Sequence, residues 1–402
     1  MATPLCPMCN KPARQRCSLC KSVRYCSVKC QGEHWSYGHK EECRRGAVVA
    51  KKAAHRNGSL DACTAANGAA LPAHEQQEEA PVPKQELFAY SGYLQLLRES
   101  QALDMPVPCG IRNTGNSCFA AAVLQCLLYT HPLPAFFSQR LHSQRCIRPK
   151  PQAWCALCAL EALANAAYGQ QEGGAISADS ILQHIRKLGS HFAVGEQEDC
   201  HELLVQLQDA MQGIMLREAG GRERHPEVRT QETTLVHHIF SGYMRQQTIC
   251  GSCGYVSKSF ENTSALQLSI PPGVFDIEAA LALDTKPEKL DEHNKWKCDH
   301  CKEHVHARRD LKVEIAPNVL QICLKRFTGY NGKIEKLIDF GETLDLTPFM
   351  ACGAIDDQPV TYSLYGVITH IGRGSSTAFG HYICFVRTEP DNWFRPSGRG
   401  RS

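Results

Sequence analysis

A cysteine preceded by two glycines and two asparagines opens an apolar run. The text reads Gly110-Ile111-Arg112-Asn113-Thr114-Gly115-Asn116-Ser117-Cys118-Phe119 and continues from Ala120 to Leu128. The run reads as a helix, so the Cys118 thiol stands in the positive end of the helix dipole, beside unpaired backbone N–H groups. Negative charge is favoured there, on an attacking sulfur or on the oxyanion that the attack creates. Asn113 adds an amide donor from the same loop. A nucleophilic thiol also needs a histidine within hydrogen-bond reach, brought by the fold and not by neighbouring sequence. Gly380-His381-Tyr382-Ile383-Cys384-Phe385-Val386 offers one: polar and apolar residues alternate as in a strand, with His381 near its start. Singly, each piece is ordinary. A cysteine before an apolar helix is commonly a small buried hydrophobe, and a strand histidine is commonly a core residue.

Together the two segments resemble the Cys box and the His box of the ubiquitin-specific proteases, and in particular the plant and algal members that carry a MYND finger. The Cys-box pattern G-L-x-N-x-G-N-[TS]-C-[YF]-x-N-x-V-L-Q-[CA]-L is met at nearly every position from Gly110 to Leu127, Ala121 being the visible departure. Three further segments resemble family motifs in the family's order: Gln197 to Leu204, Val319 to Phe327, and Tyr362 to His370. The resemblance implies an α+β fold, a papain-like hand with a helical thumb, a strand-rich palm and zinc-ribbon fingers. It makes Cys118 the nucleophile, His381 the general base and Asn113 the oxyanion donor, with Asp199 contacting the backbone of ubiquitin's extended C-terminal tail. His370, on the preceding strand, is a rival base that the resemblance sets aside as a residue shaping the cleft. Residues 371–380 read as a flexible Gly/Ser-rich loop.

Beyond the His box the family continues W-[YF]-x-x-[DN]-D, and the acidic or amide residue orients the histidine. Here Trp393 and Phe394 match, but Ser397 and Gly398 fill the later positions. With the ending Ser-Gly-Arg-Gly-Arg-Ser, this leads to the expectation of a protease domain truncated at its C-terminus. Two functions follow: a thiol-dependent deubiquitinase, or a catalytically impaired ubiquitin-binding adaptor.

The chain holds 22 cysteines in 402 residues, without a secretory signal or an apolar run long enough to span a membrane. Such thiol density points to metal ligation in a reducing, intracellular compartment, cytoplasmic or nuclear, and away from disulfides. Near the start, Cys6-x2-Cys9, Cys17-x2-Cys20, Cys26-x3-Cys30 and His39-x3-Cys43 give eight ligands, enough for two closed tetrahedral zinc sites. So short a segment draws its folding free energy from the metal. This spacing, with Gln31, His34 and Trp35, resembles the MYND zinc finger. The resemblance implies interleaved ligation: Cys6, Cys9, Cys26 and Cys30 on one ion, Cys17, Cys20, His39 and Cys43 on the other. It further implies recruitment of proline-containing peptides near Gln31 and Trp35.

A second ligand set, Cys250-x2-Cys253 and Cys298-x2-Cys301, has the signature of one structural zinc ribbon. The resemblance places it in the fingers that grip the body of ubiquitin. A third pair, Cys155 and Cys158, reads as two buried helix cysteines with no further pair left to complete four ligands.

Forty-four Lys and Arg against 41 Asp and Glu give no broad attraction to nucleic acid or membrane. Three segments are expected: a two-zinc MYND finger over 1–45, a flexible linker over 46–85, poor in aromatics, and a ubiquitin-specific protease domain over 86–402. Helical patterns dominate to about residue 215 and strands from about residue 235.

Overall fold

A computed structural model describes residues 15–16, 24–27, 29–31, 82–148, 153–170, 174–327, 332–352, 354, 359–372, 380–389 and 392–396. At the N-terminus, Gln15–Arg16 pairs antiparallel with Arg24–Tyr25. Most of the expected linker lies outside the described residues.

The main body begins where Leu87 N–H donates to Thr233 Oγ1 (2.8 Å) and Phe88 N–H to the Thr233 carbonyl (3.0 Å). Its first half is helical: α1 (Tyr90–Gln101), α2 (Cys118–Leu128), α3 (Leu133–Ser138), α4 (Ala156–Tyr168), α5 (Cys200–Glu218) and α6 (Leu235–Phe240). Only Ala121 and Cys126 of α2 escape full burial. A helix apolar on every face belongs at the centre of a core, and α2 lies there, with Phe119, Leu124 and Leu128 among Phe136, Leu157, Leu160, Leu203 and Leu207. α5 starts where Asp199, in extended backbone, caps it: the carboxylate accepts N–H bonds from His201 (2.8 Å) and Glu202 (3.1 Å).

The second half is mostly strands, with a helix at Ile277–Asp284 among them. β1 (Gly242–Cys250), β2 (Val256–Thr263), β3 (Glu288–Leu290) and β4 (Ala307–Ile315) form an antiparallel sheet in the order β2-β1-β4-β3. A second sheet holds β5 (Gly366–Ile371), β6 (His381–Glu389) and β7 (Asn392–Phe394), with β6 in the middle. Along β6, Tyr382, Cys384 and Val386 are buried in the same core as α2, so the alternation visible in the sequence is the face docked on the helices. A smaller core of Leu268, Ile270, Ile277, Leu281, Val313, Leu346 and Phe349 lies within the strand half. The change from helix to strand falls between Phe240 and Gly242, a few residues beyond the expected onset of strands near residue 235, because Leu235–Phe240 forms a helix. Among the described residues no helix is long and apolar enough to cross a membrane.

Candidate active site and metal clusters

Cys118 is the first residue of α2 and only 6% exposed. The loop before it is tied at both ends. Arg112 N–H bonds the Ile176 carbonyl (2.8 Å), extending the parallel pair Gly110–Ile111 with Ala175–Ile176. Asn116 Nδ2 donates to the Gly195 carbonyl (3.0 Å), joining the cysteine loop to the segment that leads into Asp199. Gly115, with φ near 73°, makes the turn between them in a left-handed conformation. Asn116 did not emerge from the sequence as a site residue; its partner lies far along the chain, and no local signal marks it.

Ser117 acts as a relay. Its Oγ accepts the Thr114 N–H (2.9 Å) and donates to Asn113 Oδ1 (3.1 Å). With its oxygen so engaged, the Asn113 side chain is oriented by Ser117, and its amide N–H groups are not used in that bond. We expect Ser117→Ala to slow turnover roughly tenfold, about 1.4 kcal/mol, the order of one neutral hydrogen bond. Steady-state hydrolysis of a fluorogenic ester or amide measures this; an unchanged kcat would mean that Asn113 needs no such brace.

β6 brings the second segment to the thiol. Tyr382 N–H donates to Cys118 Sγ at 3.4 Å, so the backbone beside His381 lies directly on the sulfur. The His381 side chain is exposed, and among the described residues no hydrogen bond joins its imidazole to Cys118. The sulfur therefore meets the strand through the following amide. Catalytic hydrogen bonds commonly tighten only when substrate is bound. Gly380 shapes this approach: its φ is near 136°, and a Cβ there would fall 2.5 Å from His370 Nε2 and 2.6 Å from the Ile371 carbonyl.

His370 is otherwise occupied. Lys333 Nζ lies 3.1 Å from its Nδ1 and donates to the carbonyls of His370 (2.8 Å) and Gly372 (3.2 Å). The ring packs on Tyr382, centroids 4.7 Å apart, and on Phe327 at 5.7 Å. Residues 373–379 of the expected flexible loop lie outside the described residues, as do Ser397 and Gly398. β7 pairs antiparallel with β6, Val386 opposite Phe394, and so returns toward the His381 end. Glu342 holds β7 in place, accepting from Trp393 Nε1 (3.1 Å) and Arg387 Nη1 (3.2 Å).

Asp199 caps α5 with one oxygen, Oδ1. It lies in the same electrostatic neighbourhood as Cys200, Cys323 and Tyr382, and so close to the thiol strand. The nearby thiols are poor rivals to Cys118. Burial pushes Cys384 up to about 12 and Cys323 to about 11, and it raises Cys126 and Cys200 as well.

At the far end of the β1–β4 sheet, Cys250, Cys253, Cys298 and Cys301 bring four sulfurs within 4.8 Å of one another. Cys250–Cys301 and Cys253–Cys298 are each 3.8 Å apart, matching the edge of about 3.8 Å expected for a tetrahedron with Zn–S near 2.3 Å. Backbone N–H groups of Ser252 and Cys253 point at Cys250 Sγ, and that of Cys301 at Cys298 Sγ, all at 3.4 Å. Four thiols with amide donors suit one structural zinc.

In the N-terminal segment Cys26 and Cys30, expected to share an ion, have sulfurs 3.6 Å apart. Cys6, Cys9, Cys17, Cys20, His39 and Cys43 lie outside the described residues, as do His34 and Trp35. The reading of Cys155 and Cys158 as paired helix cysteines needs correction. Cys155 is the extended residue before α4, with φ −130° and ψ 123°, and His142 and Cys146 join the two.

Residues 109–397 match the ubiquitin carboxyl-terminal hydrolase family and residues 6–43 the MYND finger family. The chain belongs to the ubiquitin carboxyl-terminal hydrolase family. Among curated relatives it is 37% identical to Arabidopsis thaliana ubiquitin carboxyl-terminal hydrolase 19, over 98% of this chain and 58% of that protein. It is 41% identical to Arabidopsis thaliana ubiquitin carboxyl-terminal hydrolase 15 over 77% of this chain and 32% of that one. Human ubiquitin carboxyl-terminal hydrolase 42 shares 36% identity over 72% of this chain and 21% of that protein. The chain thus spans less than two thirds of these relatives. In fold it resembles a chain of the SAGA Ubp8/Sgf11/Sus1/Sgf73 DUB module bound to ubiquitin aldehyde, with TM-score 0.61, 22% identity and coverage of 77% and 70%. A second structure of that module, bound to monoubiquitin, gives TM-score 0.62 and 20% identity over 98% of this chain and 85% of that one.

Proposed function

We propose that this chain is a thiol-dependent deubiquitinase, hydrolysing the bond after the C-terminal glycine of ubiquitin. One observation carries the reading: Cys118, at the N-terminus of a buried helix, receives the N–H of the residue next to His381. His381 takes the thiol proton as substrate enters, and the sulfur attacks the glycine carbonyl. Asn113 Nδ2 and backbone N–H groups at the start of α2 receive the oxyanion. His381 then protonates the leaving lysine amine, and water hydrolyses the thioester with His381 as base. A tail ending in two glycines fits a channel too narrow for ordinary side chains, and Asp199 binds its backbone N–H groups.

Asp199 also caps α5, so its variants must separate the two roles. Asparagine caps helices as well as aspartate does. Asp199→Asn should therefore raise KM for ubiquitin substrates while leaving the melting temperature nearly unchanged, whereas Asp199→Ala should lower both affinity and stability. Equal KM for Asp199→Asn and the parent would remove Asp199 from the tail site.

In the same reading residues 1–45 form a two-zinc finger that recruits proline-containing peptides, 46–85 a linker and 86–402 the protease. Zinc-bound thiolates suit an intracellular, reducing compartment. A second reading, a ubiquitin-binding adaptor with impaired chemistry, is favoured by the exposed His381 imidazole and by Ser397 and Gly398 where an orienting acid belongs. A ubiquitin probe with a C-terminal electrophile decides between them. The deubiquitinase becomes covalently labelled, with the adduct mapped to Cys118; the adaptor binds ubiquitin and stays unlabelled.

A further inference from the structure

The helical half contains a second group of soft ligands, away from the thiol site. His142, Cys146, Cys155 and Cys158 each offer one ligand atom, and these atoms lie within 4.8 Å of one another. Cys146 and Cys158 sulfurs are 3.5 Å apart, and His142 Nε2 is 3.1 Å from Cys155 Sγ. A zinc tetrahedron with Zn–S near 2.3 Å and Zn–N near 2.05 Å has edges of about 3.8 Å (S to S) and about 3.5 Å (N to S). The cluster is slightly tighter along these two edges, and an ion would open it by a few tenths of an ångström. In sequence the ligands read His-x3-Cys, then Cys-x2-Cys, both ordinary spacings for structural zinc.

We propose that this cluster is a structural zinc site of Cys3His composition, independent of the fingers ribbon and of the MYND finger. The surroundings support it. His142 is fully buried, and its Nδ1 lies 2.8 Å from Glu218 Oε1. A carboxylate on one ring nitrogen fixes the tautomer and turns the lone pair of the other toward the metal, the usual arrangement behind a zinc-bound histidine. Glu161, itself buried, accepts the backbone N–H groups of His142 and Ser143 through Oε2, both at 3.3 Å, and so shapes the turn that presents the ligand. Three thiolates and one dication leave a net negative charge, and Arg148 Nη2 stands 3.3 Å from Cys158 Sγ to meet it. On loading, the three thiol protons leave to solvent, while the neutral imidazole keeps its Nδ1 proton on Glu218.

The site would tie three pieces together: the turn after α3, the start of α4 and, through Glu218, the end of α5. All three helices share the core that holds α2. The ion therefore stiffens the lobe carrying Cys118 without touching substrate.

Differential alkylation of the full chain, purified with zinc under reducing conditions, reads the three thiols directly. N-ethylmaleimide should label Cys146, Cys155 and Cys158 slowly until a chelator removes the metal, then quickly. Zinc content measured by elemental analysis should fall by one equivalent in a Cys146→Ser/Cys158→Ser double variant and stay constant in Cys126→Ser. Glu218→Gln should weaken zinc affinity by about tenfold or more. Labelling rates indifferent to the chelator, or labelling released by a reductant alone as from a Cys146–Cys158 disulfide, would overturn the proposal. If the double variant does not fold, the alkylation of the unaltered chain decides.

Discussion

Cys118→Ala should abolish hydrolysis of ubiquitin conjugates and all labelling by an electrophilic ubiquitin probe, while leaving ubiquitin binding intact. Removing the nucleophile of an acyl-transfer enzyme costs on the order of a millionfold in kcat, since the remaining groups act only as part of the unit. No neighbour can stand in. Cys126, Cys200, Cys323 and Cys384 are held as thiols by burial, and none begins α2. The structural cost is small, because alanine is a good helix former and the substitution removes a single buried sulfur. Binding measured by calorimetry then separates chemistry from recognition. Asn113→Ala gives a graded companion: loss of one oxyanion donor should lower kcat about 10²–10³-fold with KM little changed. Residual turnover in Cys118→Ala near the parent rate would move the nucleophile elsewhere and end the thiol mechanism.

How much of this was legible in the sequence depends on the distance over which each feature closes. Cys118 falls at the first residue of a helix because the apolar run and its glycine-asparagine approach are local signals. The period-2 alternation around His381 correctly gave a strand with its apolar face inward. Each Cys-x2-Cys of the ribbon is a local turn, and the order of motifs implied their meeting. The Asn116 tie to Gly195, the Lys333 hold on His370 and the Gly380 close approach join residues with no common pattern; only the folded chain shows them. The Cys3His cluster is different, for a signal was there. His142-x3-Cys146 has the same spacing as the ligand pair His39-x3-Cys43, so the partners of Cys155 and Cys158 are a His–Cys pair and not a further Cys-x2-Cys.

Metal removal from the ribbon should unfold its tip while leaving the rest of the strand half folded. The core around the four sulfurs is small: Tyr255 and Val305 are buried there, with Trp296 and His300 stacked on Tyr255 at centroid distances of 6.3 and 6.0 Å. The strands that present Cys298 and Cys301 are two residues each, Trp296–Lys297 and His304–Val305. So short a ribbon cannot offset the entropy of ordering its turns. Structural zinc in finger peptides supplies about 10–16 kcal/mol of apparent binding free energy at neutral pH, and an ion held by these four sulfurs would lend the tip stability of that order. Cys298→Ser should therefore abolish hydrogen-exchange protection over residues 250–255 and 296–305. Protection where β1 pairs with β2, from Gly242 to Thr248, should remain, because those ladder bonds close without the ion. If the tip of the metal-free protein keeps its protection, Tyr255 and its neighbours hold the knuckles alone, and the four sulfurs are packing groups and not ligands.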